Sequence, residues 1–187
     1  MTAIANTREK PILSLKTQVL ATCAAIAGAV ALPQLFHMVG ALSGLGTAPG
    51  EIFLPMHLPV ILVGLLAGPF AGAAAGLLSP LVSFALSGMP GIAMLPFMVI
   101  ELAVYGLTAG CLYKVQLPTA GKVLAAQIAG RIIRAAAILI AVSIGNTSVQ
   151  PAAIWNSILT GLPGLILQWV FLPLIVFWVE NRRKKEK

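Results

Sequence analysis

At 187 residues, 59% hydrophobic and only 9% charged, with a mean hydropathy of +0.98, the chain is far more apolar than a soluble domain, where about 25% of residues are charged. A soluble fold is excluded, and an all-α integral membrane protein is expected. The net charge of +7 is gathered in short clusters beside apolar runs instead of along one face, which argues for a topological role and against nucleic acid.

The N-terminal tail, residues 1–16, carries Arg8, Lys10 and Lys16. The apolar run behind it is longer than a signal-peptide core and lacks a cleavage pattern, so it reads as a retained helix. That first span covers residues 17–39, about the 20 residues that a bilayer crossing takes. A polar, Gly-containing connection, 40–51, leads to a second span at 52–67. A third follows at 69–87, a fourth at 91–113, a fifth at 122–144 and a sixth at 153–179. Gly68-Pro69 and Gly88-Met89-Pro90-Gly91 stop one helix and start the next. The expected architecture is one compact bundle of six transmembrane helices, 17–179, between the tail and a basic segment, 180–187, as a single membrane domain. The second span is short, and Pro55 and Pro59 remove backbone donors near its start, so an irregular stretch is expected there.

Charge placement sets an orientation. Lys114 and Lys122 flank the fourth connection, and Arg182, Arg183, Lys184, Lys185 and Lys187 follow the last span. The connections 40–51, 88–91 and 145–152 hold no Lys or Arg. Six spans put every basic cluster on one side, so both termini are expected in the cytoplasm.

Within 52–113 the only formal charge is Glu101. A carboxylate is costly in lipid, so it should face protein or a wet cavity. If the fourth and fifth spans are antiparallel neighbours, a rise of about 1.5 Å per residue brings Arg134 to the depth of Glu101, with Arg131 about one turn away. The cluster is either a structural ion pair or a pair with a spare guanidinium for an anionic or carbonyl group of a ligand. His57, Trp155 and Asn156 fall at the opposite, outer end and join the candidate ligand contacts. Trp155 also suits an interfacial belt, and His57 a satisfied structural role. Gln127, Gln168 and Trp169 read as ties between helices, and His37 as an interface residue. Ala21, Ala25 and Ala29 recur every four residues, a spacing that suits packing inside the bundle or docking of another subunit. Gly64, Gly68, Gly72 and Gly76 are also four apart, but Pro69 interrupts them, so they read as tight packing near the turn.

Enzyme signatures are missing. There is no Walker A pattern, no HExxH, CxxC or GxSxG, and no aspartate at all. No catalytic residue, metal site or cofactor is assigned to this chain. Cys23 and Cys111 lie in apolar runs and read as small hydrophobes.

The ladder Ala21, Ala25, Ala29, the segment LPMHLPVILVGLLAGPFAGAAAGLLSPLVSFALSGMP, its continuation ELAVYGLTAGCLYK, the segment AGRIIRAA and the late PGLILQWVFLPLIV together resemble the substrate-binding S components of energy-coupling factor (ECF) vitamin transporters. The likeness covers about residues 17–179. It implies high-affinity capture of a vitamin, vitamin precursor or related micronutrient at a bacterial plasma membrane, in a pocket toward the outer half. It also implies a transmembrane coupling subunit and two ABC ATPases as partners, ATP being used by the ATPases and the alanine motif docking on the coupling subunit. Two other readings compete with it: a small proton-coupled secondary transporter using Glu101, which would show internal inverted repeats that are not found here, and a non-transport scaffold locked by Glu101 and the arginines.

Overall fold

The structure is a computed structural model that describes residues 13–145 and 147–185. Arg8, Lys10 and Lys187 lie outside the described residues. Seven helical elements follow one another with no strand among the described residues: α1 (Leu15–Leu42), α2 (Ala48–Phe53), α3 (His57–Ala67), α4 (Pro69–Ser87), α5 (Leu95–Cys111), α6 (Thr119–Ser143) and α7 (Ala152–Lys185). Together α2 and α3 make one span, Ala48–Ala67, so the described residues offer six. Five are long and apolar enough to cross a membrane, and α5 is apolar but shorter, at 17 residues.

Local chemistry sets the boundaries. The Ser14 hydroxyl accepts from the Thr17 amide at 3.2 Å and caps α1. Pro69 occupies the first turn of α4, where a missing N–H costs nothing. Gly68 (φ 97°) and Gly88 (φ 70°) end α3 and α4 in left-handed backbone that glycine adopts without strain.

The second span departs most from expectation. It is not a single helix from residue 52: helical structure begins at Ala48, inside the anticipated connection, and breaks at 54–56 before resuming at His57. Leu54 adopts left-handed backbone (φ 47°, ψ 49°), and Pro55 follows it. Pro59 does not break α3, because it lies in the first turn, where amides have no intrahelical acceptor. The Leu54 carbonyl accepts from the His57 amide at 3.1 Å and from the Gln168 side chain at 3.4 Å, so α7 braces the break. At the far end of the chain, α7 runs through the anticipated tail to Lys185. Arg182 stacks on Trp178, 4.4 Å from its ring centroid, one turn back.

The short α3 is the hub, with eight of its 11 residues buried. One side packs with Ala25, Ala29, Ala71 and Ala75; the other packs with Tyr105, Val123, Ala126 and Leu172. Ala25 and Ala29 are 8% and 0% exposed, and Ala21 packs at the edge of the same cluster. Two of the three ladder residues are therefore covered by contacts within the chain, and Ala21 partly so. The interrupted glycine series also turns inward. A side chain at Gly72 would strike the backbone of Gly106, and one at Gly76 that of Leu102, so these glycines let α4 lie directly on α5. Outward faces carry Leu20, Leu35, Leu86, Ile132, Ile140 and Phe177, as a lipid-facing surface requires.

The two ends of the bundle differ. One holds the connections 43–47, 88–94 and 144–151 and has no Lys or Arg in them; it is called the pocket end below. The other holds Lys16, Lys114, Lys122, Arg182, Arg183 and Lys185 and is called the basic end.

Candidate functional site

A cavity of about 440 Å³ opens at the pocket end, within the size range of small-molecule sites. The break between α2 and α3 forms one wall with Leu54, Pro55, Met56 and His57. Pro33 and His37 of α1 and Ser83 of α4 form a second, and the 88–94 connection with Met94 and Met98 a third. Arg131 and Arg134 of α6 face Asn156, Ser157 and Thr160 of α7. The irregular backbone anticipated at Pro55 is thus cavity lining, the circumstance in which a membrane tolerates it.

Beside this cavity lies Glu101, with no exposed surface. Four side chains surround its carboxylate. Arg134 donates from Nη1 to Oε2 at 2.7 Å, and Arg131 Nε stands 3.2 Å from Oε1 as an ion pair. The Tyr105 hydroxyl donates to Oε1 at 3.2 Å, and His57 Nε2 approaches Oε2 at 4.0 Å. Tyr105 is seated by its neighbours: its ring fills the space where Gly130 lacks a side chain and leans on His57, with centroids 5.2 Å apart. The cluster draws on α3, α5 and α6 and couples the hub to the cavity wall.

The arginines are not equivalent. Arg134 has the short charge-assisted bond to Glu101, and its Nη2 has only the Met94 sulfur at 4.0 Å. Arg131 donates from Nη1 to the neutral Ser157 hydroxyl at 3.2 Å. Its Nε and Nη2 have no hydrogen-bond partner, nor do Arg134 Nε and the two ring nitrogens of His57. Buried donors without acceptors are uncommon in folded proteins.

Of the anticipated site residues, His57, Arg131, Arg134 and Asn156 line the cavity. Glu101 sits behind them, holding the arginines. Trp155 does not join them: it is 68% exposed on the outside of α7, because a helix carries neighbouring residues about 100° apart. His37, anticipated as an interface residue, lines the cavity and packs against Gly50. Sequence reasoning missed Ser157, Thr160 and the methionines. Ala153, Asn156, Ser157 and Thr160 do follow a three-and-four spacing that marks one helix face. Below them, Gln127 donates to Gln168 Oε1 at 3.0 Å and accepts from Trp169 Nε1 at 2.5 Å, so these residues tie α6 to α7 as anticipated. No cluster of three His, Cys, Asp or Glu side chains among the described residues is placed to hold a metal.

A family model described as the ECF transporter, substrate-specific component, matches residues 17–176 and so reaches into each of the six spans. The chain belongs to this family. An ECF S component is a substrate-binding transport subunit, not an enzyme, and is energised by ATPases on partner chains. This one is a multi-pass membrane protein, as the apolar spans also require. Comparison with curated proteins and with solved structures finds no match.

Proposed function

We propose that this S component captures a vitamin, vitamin precursor or related micronutrient in the cavity at the pocket end, with His57, Arg131, Arg134 and Asn156 as polar contacts and Glu101 orienting the arginines. The pocket end faces outward, and both termini lie in the cytoplasm. One transmembrane coupling subunit and two ABC ATPases complete the transporter, and residues 1–187 act as a single membrane domain. The observation that carries this reading is the cavity itself, which opens at the end opposite Lys16, Lys114, Lys122, Arg182, Arg183 and Lys185. Charge clusters of this kind stay on the cytoplasmic side, so the cavity mouth meets the outside.

Glu101 is poorly suited to relay protons, since it has no exposed surface and is engaged by two guanidiniums and a phenol. A scaffold would have no need of a 440 Å³ hollow lined by unpartnered donors.

The test is to purify the chain from cells grown in rich medium, release bound small molecules and identify them by mass spectrometry. One stoichiometric micronutrient is expected, bound without ATP. Uptake into liposomes by this chain alone, with ATPases absent, would overturn the reading.

A further inference from the structure

The charges around the cavity do not balance. Arg131 and Arg134 are 11% and 15% exposed at their side chains, and Glu101 is their sole ion-pair partner among the described residues. The short bond from Arg134 satisfies Glu101 first. Arg131 is left with an oblique ion pair, a neutral hydroxyl and an unpartnered Nη2. An uncompensated guanidinium at membrane depth is costly, and an anion arriving beside it relieves that cost.

One further carboxylate touches the cavity. Glu51 stands exposed at the rim, where it accepts from the Thr47 hydroxyl at 3.0 Å. Solvent screens it from the arginines, but it opposes a second negative group at the mouth. Part of the cavity wall is apolar and deformable, formed by Met56, Met94 and Met98. His57 presents two buried ring nitrogens with no hydrogen-bond partner, near the arginines.

From this arrangement we infer that the ligand is a monoanion with a single carboxylate, received by Arg131, which Ser157 holds in place, its apolar body lying against the methionines and a heteroatom reaching His57. The inference rests on the capture reading and narrows it. Arg134 takes the shorter bond to Glu101 and lines the cavity beside Arg131, so one positive charge of the pair is left for the ligand. Phosphomonoesters carry more charge than one guanidinium offsets, and a neutral amide or alcohol leaves Arg131 uncompensated.

The experiment uses the full chain in nanodiscs and reads binding by thermal stabilisation. The probes are matched pairs: nicotinate and nicotinamide, pantothenate and pantothenol, biotin and its methyl ester. Pyridoxal 5′-phosphate and thiamine serve as dianion and cation. At least one acid is expected to stabilise the protein at a concentration tenfold or more below its neutral partner. Arg131→Gln should abolish that preference, Arg131→Lys should restore part of it, and Arg134→Gln should lower the melting temperature without ligand. The acid-to-neutral comparison on the unmodified protein stands even if a variant does not fold. Preference for a neutral compound, the cation or the phosphate overturns the inference and leaves the capture reading intact. Silence across all the probes also overturns it, and the capture reading is then decided separately by the released small molecule.

Discussion

Glu101 is the residue on which the buried charges depend. Its carboxylate faces Arg131, Arg134 and Tyr105 with no exposed surface. Removing one partner from a buried ion pair leaves the others uncompensated, at a cost of about 3–5 kcal/mol. Glu101→Gln is therefore expected to lower the melting temperature sharply. Adding Arg134→Gln should recover part of the loss, because the two residues share one interaction and their effects do not add. Simple additivity in a double-mutant cycle would show that they act independently. A smaller neighbour reports on the same cluster. Alanine at Gly130 would press on the Tyr105 ring, and overpacking of this kind costs about 1–3 kcal/mol. Gly130→Ala should weaken ligand stabilisation although the residue does not line the cavity.

At the scale of elements, the contact between α4 and α5 depends on absent side chains. Gly72 and Gly106 meet backbone to backbone. Gly72→Ala is expected to destabilise the bundle by about 1–3 kcal/mol, measured by thermal unfolding in detergent. Alanine at Gly121, whose side-chain position is open, is the comparison that should leave stability nearly unchanged.

A docking role for Ala25 and Ala29 can be tested in the same way, through the space around them. Ala25 and Ala29 are already covered by α3 and α4, so Ala25→Trp should disrupt folding and ligand binding together. Cys23, Ala24, Ala27 and Ala31 are among the small residues that α1 leaves open. If the coupling subunit docks on α1, Ala27→Trp should block co-purification with it and spare ligand affinity. Normal assembly of the Ala27→Trp protein would move the docking face away from α1.

For the whole molecule, the arrangement in the membrane follows from its two unlike ends. With Cys23 and Cys111 replaced by Ala, a single cysteine at Ser43 or Gly91 should react with an impermeant maleimide in intact cells. One at Lys114 or Lys185 should react only after lysis. The reverse pattern would invert the bundle and turn the cavity toward the cytoplasm.

Hydropathy, proline and glycine punctuation and the placement of Lys and Arg made six spans legible in the chain alone, because a bilayer imposes length and polarity on each span separately. The meeting of Glu101 with the arginines was legible too, since helical rise converts residue number into depth. What the chain alone could not disclose depended on rotation and on contacts between distant segments. The direction of the Ala25 face, the exposure of Trp155, the break at Leu54 braced by Gln168 and the hollow between α1, α3, α6 and α7 all belong to that kind. Depth is a property of one helix, whereas a cavity exists only where several helices fail to close on one another.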